Sequence, residues 1–211
     1  MTHVEVRPYG PEAVLVDLAG AHEVATLRAA FAEKPPVGAV ETMPGLRTVL
    51  VRFDACVTDA ATIAGAVLAV DLTAAPPTPT STSDVTTVRV RYDGADLAEV
   101  VDLTGMTAPD VIAAHQAPTY RVVLIGMAPG FYFLAGGDPR LVVPRRRTPR
   151  TDVPKGAIGL AGDLTGVYPR LGPGGWQLIG TVVDDLWHPT DLPAARLAPG
   201  AQVRFAAGAA R

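Results

Sequence analysis

The sequence has very few side chains that could act as a catalytic nucleophile. Its only serines, Ser81 and Ser83, lie in a segment of threonine and proline, and its only cysteine is Cys56 in a strand-like run. A Ser-His-Asp triad or a serine–lysine amidase site therefore has no credible nucleophile here. A single cysteine also excludes an internal disulfide and every cysteine-based zinc pattern. Hydrolysis through an acyl-serine intermediate is accordingly excluded.

Long apolar runs, nucleotide-binding motifs and metal-ligand patterns are missing as well. No apolar run approaches ~18 residues, and residues 1–10 lack a basic stretch followed by an apolar core, so neither a membrane-spanning helix nor a signal peptide is predicted. The histidines show no metal-ligand spacing, and neither a P-loop nor a strand-GxGxxG-helix unit occurs. The net charge of −3 gives no global attraction to nucleic acid or anionic membranes. We expect a cytoplasmic protein without a metal site.

The apolar pattern of residues 1–71 predicts the element order β-β-α-β-β-α. The predicted elements are strands at 4–7, 13–18, 37–41 and 46–53 and two helices, with apolar faces of Val24, Leu27 and Phe31 and of Ile63, Val67 and Val70. Two helices on one side of a small antiparallel sheet bury these faces economically. The sequence therefore predicts an α+β fold that begins with a ferredoxin-like α/β sandwich.

A domain boundary is predicted at residues 72–84, which have three prolines among small polar residues and no apolar period. This composition is typical of an extended linker. Residues 85–211 form the second predicted domain, which begins with a strand at 85–92, a short helix at 96–103 and a helix that ends at His115. Beyond Tyr120, short β-type runs return between dense glycine and proline, which predicts a closed or strongly bent β-structure with long loops.

The loop at 139–155 concentrates positive charge on a stiff backbone. It carries Arg140, Arg145, Arg146, Arg147, Arg150 and Lys155, interrupted by four prolines. A stiff loop loses little entropy when its guanidinium groups grip a carboxylate or phosphate, so the loop is a candidate anion site. Arg145 and Arg150 each follow a proline and are the predicted anion ligands, whereas Arg146 and Arg147 are predicted surface residues. The alternative is that the whole loop is a solvated face.

Other candidate residues have both a functional and a structural interpretation. Backbone N–H groups of a glycine ladder at 156, 159, 162 and 166 could bind an anion, but bends at barrel corners are the favoured explanation. Trp176 is predicted to be a core or pocket-wall residue. His115 is either a hydrogen-bonded structural histidine or a general base.

Residues 126–180 resemble the signature of the B-subunit family of 5-oxoprolinase, also called allophanate hydrolase subunit 1 or KipI-like. The motifs GxxPGFxxL, PRxxTPRxxVPxG, TGVYP and PGGWQLIG occur in the family's order. The resemblance implies an N-terminal α+β domain and a C-terminal cyclophilin-like β-barrel. It also implies a homologous larger barrel partner, which is KipA-like, and a third subunit, which together open 5-oxoproline to glutamate with ATP bound somewhere in the complex.

The motifs and the basic loop together define the predicted site. The catalytic candidates are His115, Arg145, Arg150 and Lys155, and the candidates for substrate or anion binding are Gly130, Phe131, Gly156, Gly159, Gly162, Tyr168, Gly174, Gly175, Trp176 and Gln177. The chain departs from the family pattern at Met127, at Thr181 and in the segment PGAQVRF near the end. An arginine and an acid that are common in the family are absent there, which leaves the substrate open.

The leading interpretation is a subunit of an ATP-dependent amide or lactam hydrolase that is inactive alone. One rival is a non-catalytic regulatory protein of the kinase-inhibitor type, in which the basic loop docks a partner. A second rival is carboxyl transfer in a complex of the urea carboxylase type, which needs a biotin-bearing partner. A catalytic half-site should be concave and lined by the arginines, whereas a docking surface should be flat, exposed and apolar.

Overall fold

The computed structural model describes residues 3–74 and 85–208. Contacts between Cα atoms divide the chain into two compact units, Met1–Thr80 and Ser81–Arg211. Most of the predicted linker, residues 75–84, lies outside the described residues, so its role as a linker stays a prediction. Leu72, where that linker was predicted to begin, is buried in the core of the first unit.

The first unit follows the predicted order β-β-α-β-β-α. Its elements are β1 (Val4–Pro8), β2 (Ala13–Leu18), α1 (Ala21–Glu33), β3 (Ala39–Pro44), β4 (Thr48–Phe53) and α2 (Ala60–Leu68). The strands form one antiparallel sheet in the order β1-β2-β4-β3. This is the order of a ferredoxin-like sheet in which the last strand has been moved to the start of the chain.

Period-two alternation builds the core of this unit. On β2, Val14, Val16 and Leu18 are buried, and on β4 the same alternation buries Val49 and Val51. They pack in one cluster with the apolar faces of both helices. The helix α2 begins where Asp59 accepts a hydrogen bond from the Thr62 backbone N–H at 2.7 Å, as a capping residue does.

The second unit is a closed barrel with two helices and a short ribbon. Its strands in barrel order are β10 (Leu164–Val167), β7 (Tyr132–Ala135), β6 (Tyr120–Ile125), β13 (Gln202–Ala207), β5 (Thr86–Arg91), β12 (Gln177–Val182) and β9 (Ala157–Ala161). The other elements are α3 (Leu97–Thr104), α4 (Ala108–Gln116), a 3-10 turn (Pro139–Leu141) and the ribbon strands β8 (Arg150–Val153) and β11 (Gly172–Gly174). The predicted α+β fold with a closed β-barrel is confirmed.

The pairing of β5 with β13 differs in direction from the other strand pairs of the barrel. β5 and β13 run parallel, whereas the other neighbouring strands in the barrel run antiparallel. The strand β13 also pairs with β6 and so fills the gap between β5 and β6. The interior is packed with buried side chains that include Tyr120, Ile158 and Phe205. Within the described residues, no helix is long and apolar enough to span a bilayer.

Candidate functional site

A buried carboxylate, Asp96, organises the basic loop. Its side chain is 2% exposed and accepts hydrogen bonds from both terminal nitrogens of Arg150, at 2.7 and 2.6 Å. It also accepts from Arg146 and, at 2.8 Å, from the backbone N–H of Leu178 on β12. Burial opposes ionisation of Asp96, but the hydrogen bonds from Arg150 and Leu178 outweigh it and lower the pKa of the carboxyl below its usual value. Asp96 therefore joins the start of α3, the barrel wall and the loop.

This arrangement changes the expected roles of two arginines. Arg150 was predicted to bind an external anion, but its planar fork is occupied by Asp96. Arg146 was predicted to be a surface residue, and that prediction is wrong, because only 26% of its side chain is exposed and it pairs with Asp96 and Glu99. No local sequence pattern indicates this ion pair, because Asp96 lies 50 positions before Arg146.

Arg145 remains the candidate for an external anion. Its guanidinium carbon lies 5.8 Å from the centre of the Trp176 ring, which is a cation–π arrangement. Among residues 3–74 and 85–208, no carboxylate forms an ion pair with Arg145. Arg146 and Arg150 thus share Asp96 and Glu99, whereas Arg145 and the exposed Arg147 form no ion pair within the described residues.

An aromatic cluster forms the floor beneath Arg145. Phe131 and Trp176 have ring centroids 5.6 Å apart, and Phe131 also meets Tyr168 edge-on at 4.8 Å. A Cβ atom on Gly166 would lie 2.8 Å from Trp176 and 3.0 Å from Phe131, so the rings need a glycine there. The prediction of Trp176 as a core or pocket-wall residue agrees with its 3% exposure.

A second group of predicted residues meets around Lys155. Gly130, Lys155, Gly156 and Tyr168 line one narrow cleft of about 20 Å³, hereafter the lysine cleft, whose other lining residues include Asp184, Asp185 and Trp187. The Lys155 amine lies 3.2 Å from Asp185, whose second oxygen is 3.2 Å from Nε2 of His188. Burial opposes ionisation of Asp185, but the hydrogen bond and charge of Lys155 together with His188 and the Trp187 backbone outweigh it and lower the pKa of Asp185.

Gly130 lets the wall of this cleft close. Its φ is +81°, and a Cβ atom would lie only 2.3 Å from the Trp187 ring. Trp187 therefore packs directly on the Gly130 backbone. Sequence reasoning missed Asp185 and Trp187, because they lie outside the recognised motifs and reach the cleft only through folding.

Tyr168 lies between the two groups. Its backbone accepts from the Gly156 N–H at 2.8 Å beside the lysine cleft, while its hydroxyl packs against Gly174 in the ribbon. Burial raises the pKa of the Tyr168 hydroxyl, although the nearby Trp176 backbone N–H and the charges of Arg145 and Arg150 oppose this. Within the described part of the chain, no group reaches that buried hydroxyl with full hydrogen-bond geometry.

The glycine ladder serves packing and turns rather than anion binding. The Gly156 N–H donates to Tyr168 and the Gly162 N–H donates to Val143 at 2.7 Å, so both are already engaged. Gly162, with φ +60°, lies in the two-residue turn between β9 and β10. A Cβ atom on Gly159 would lie 2.9 Å from the Gln177 carbonyl oxygen, so this glycine lets β12 approach. The favoured structural explanation agrees with these contacts.

His115, on α4, is buried against side chains of the barrel strands. It is 0% exposed, stacks on Phe205 at 4.6 Å, and its Nδ1 lies 2.8 Å from the Tyr92 hydroxyl. Burial lowers the pKa of His115 to about 3, so the ring is neutral at neutral pH. It lines neither the lysine cleft nor the arginine cluster, which favours its structural interpretation. In the described residues, His, Cys, Asp and Glu form no group of three that could hold a metal ion.

Most of the chain matches a known protein family. The model of the carboxyltransferase domain, subdomain C and D, matches residues 4–197. The 5-oxoprolinase B-subunit of Bacillus subtilis (strain 168) is 43% identical over 112 residues, which are 53% of this chain and 47% of that protein. The chain thus spans about half the length of the curated relatives it matches.

Two crystal structures resemble the fold of this chain. TTHA0988 matches with a TM-score of 0.77 and 31% identity, over 95% of this chain and 40% of that chain. The urea carboxylase of Kluyveromyces lactis matches with a TM-score of 0.75 and 20% identity, over 98% of this chain and 22% of that chain. The second likeness shows the fold alone.

Proposed function

This chain belongs to the carboxyltransferase-domain family of subdomains C and D, and we infer from that premise that it is a subunit of a hydrolase of the 5-oxoprolinase type. In the proposed reaction a cyclic amide is opened with ATP in a complex with a larger barrel subunit and a third subunit. The identity to B-subunits of 5-oxoprolinase supports this proposal. The urea carboxylase of the second rival shares the fold. Neither described cleft is lined by an arginine of the basic loop, so the proposal rests on the sequence identity rather than on an arginine-lined cavity.

One observation carries the proposal. Residues from three separate motifs, Gly130, Lys155 with Gly156, and Tyr168, meet around the lysine cleft. Tyr168 also connects this cleft with the ribbon beside Arg145. Because the substrate is proposed to carry a carboxylate, Arg145, which has no ion-pair partner in the described residues, would hold it directly, whereas Lys155 would have to exchange Asp185 for it.

Three buried polar atoms lie near the arginine cluster. Arg146 Nε, the Tyr168 hydroxyl and Gln177 Oε1 are buried without a partner in the described residues. Arg146 and Gln177 share Glu99, at 3.1 and 3.3 Å. Neither Arg146 nor Gln177 lines the lysine cleft, so ordered water is the natural partner of these atoms.

The described residues do not fit ATP well. The N–H groups of Gly156 and Gly162 could have cradled a phosphate, but both donate to backbone carbonyls. We therefore assign ATP to a partner subunit in this proposal. With Ser81 and Ser83 in the segment predicted as a linker, we also assign the attacking group to water or to the partner.

The proposal is tested by comparing the only two lysines of the chain in the reconstituted complex. Lys155→Met removes the ammonium group at the cleft but keeps the length of the stem, so 5-oxoproline-dependent ATP hydrolysis should fall about two- to fivefold, as expected for a largely exposed charge. Lys34→Met, at the end of α1, should leave the activity unchanged. Equal activity of both variants would contradict a role for the lysine cleft.

A further inference from the structure

A second cleft lies at the other end of the strand pair β7 and β10. Tyr132 and Val167 are paired residues beside the lysine cleft, whereas Gly136 follows the end of β7 and Leu164 begins β10 at the second cleft. The second cleft has a volume of about 210 Å³ and shares no lining residue with the lysine cleft. The proposed function gives it no role.

Two buried hydroxyl groups form the floor of the second cleft. Tyr120 and Thr165 line it and are 1% and 2% exposed. The Tyr120 hydroxyl donates to the carbonyl of His115 at 3.1 Å, so towards the cleft its oxygen acts as an acceptor. Thr165 Oγ1 lies 3.4 Å from Nε2 of His115, which holds the threonine in place. The floor is therefore rigid and polar.

Two glycines keep space open above this floor. A Cβ atom on Gly137 would lie 3.1 Å from Cε1 of Tyr120 and 3.3 Å from its hydroxyl. The neighbouring Gly136 has φ +93°, a conformation that favours glycine. Any side chain at position 137 would thus enter the space in front of the Tyr120 hydroxyl.

The mouth of the cleft carries one uncompensated negative charge. Asp138 is occupied by Arg140, whose Nη2 lies 2.6 Å away. Asp163 also lines the cleft and is exposed, and across the described ranges no basic side chain pairs with it. The remaining walls, which include Leu141, Val142 and Leu160, are aliphatic.

We propose that this second cleft binds an alkylammonium group. The ammonium group pairs with Asp163 and directs its hydrogens at the hydroxyl floor, and the alkyl stem lies against the aliphatic walls. An acceptor-lined, negatively charged opening disfavours anions and neutral apolar molecules. The same chemistry is offered by a small free amine and by a lysine side chain of a partner protein. The proposal does not depend on the hydrolase function.

Titration of the full chain with butylammonium chloride, followed by amide NMR, tests the proposal. Butylammonium should shift the amide signals of Gly136, Gly137 and Thr165, whereas butanol, with the same stem and no charge, should not. Asp163→Asn should weaken binding about two- to fivefold, as expected for one exposed charge. Gly137→Ala should weaken binding because its methyl group would stand in front of the Tyr120 hydroxyl.

Asp102→Asn is the matched control, because Asp102 is an exposed aspartate on α3 outside the cleft, and it should bind like the wild type. Equal shifts with butanol, or equal binding by Asp163→Asn and wild type, would overturn the proposal. Since Asp163 is exposed, this variant keeps the test valid even if Gly137→Ala unfolds. Tighter binding of Nα-acetyl-lysine amide than of butylammonium would indicate a partner's lysine, and the reverse would indicate a free amine.

Discussion

Asp96 shows how one side chain can determine the state of several others. It is almost fully buried and compensates Arg146 and Arg150, each of which keeps about a quarter of its side chain exposed. Asp96→Asn would leave two guanidinium groups without their shared carboxylate. We expect a loss of about 3 kcal/mol in the free energy of unfolding, at the low end for a broken buried pair because the arginines are partly hydrated. Urea unfolding should show this loss, and Asp102→Asn should not show it.

Arg150→Lys separates a structural role of Arg150 from an anion-binding role. A lysine keeps the charge but cannot make the two parallel bonds that Arg150 makes to Asp96. The substitution should therefore lower stability along with any activity. Full stability combined with lost activity would show instead that Arg150 binds substrate.

The buried neutral His115 gives the barrel a defined pH dependence. Its pKa is about 3 in the folded state and ~6.5 in an unfolded chain, so only the unfolded state gains a proton between these values. Stability should fall as the pH is lowered from ~6.5 towards 3, whereas the contribution of Asp96, whose pKa is lowered, is lost only below ~3.9.

His115→Gln should flatten the pH dependence of stability between pH 6.5 and 4.5. Both tryptophans, Trp176 and Trp187, belong to the unit with the barrel, so their fluorescence in urea reports its unfolding specifically. The exposed His22, on α1, is the control position, and His22→Gln should leave the slope unchanged. Identical slopes for wild type and His115→Gln would rule out a neutral buried histidine.

Sequence patterns succeeded for whole elements and failed for contacts between them. The alternation on β2 and β4 is a local signal, and both strands lie within the ranges that it predicts. The Asp96–Arg150 pair joins residues 54 positions apart, and no local spacing reveals such a contact. The lysine cleft was predicted only in part, because motif residues were found while Asp185 and Trp187 were not.

The close packing of the Trp176 and Phe131 rings on Gly166 can be tested by substitution. Gly166→Ala would place a methyl group within 3.0 Å of two buried rings, those of Trp176 and Phe131, and one of them must move. We expect a loss of about 1–3 kcal/mol, typical of overpacking, with a shifted Trp emission spectrum. Gly172→Ala meets nothing within 4 Å and should behave like the wild type. A neutral Gly166→Ala would mean that the cluster is loosely packed.

On the scale of the whole molecule, the chain is proposed to work only in an assembly. It spans about half of its curated relatives, and its described residues offer charge and shape but no serine or cysteine nucleophile in the barrel unit outside the predicted linker. The purified chain alone should therefore show no 5-oxoproline-dependent ATP hydrolysis. Turnover should appear on addition of the larger barrel subunit and the third subunit, and substantial turnover of the chain alone would refute this division of labour.

The parallel pair of β5 and β13 also governs when the barrel can form during synthesis. During synthesis β5 and β6 are made first, and β13, the strand that fits between them, is made about eighty residues after β6. Because folding can begin from the N-terminal side as the chain emerges, β5 and β6 must wait for β13. Until then both strands present unpaired edges, which are templates for pairing with other chains. The growing polypeptide is thus most exposed to misassembly, and most dependent on chaperones, in the interval before residues 202–207 leave the ribosome.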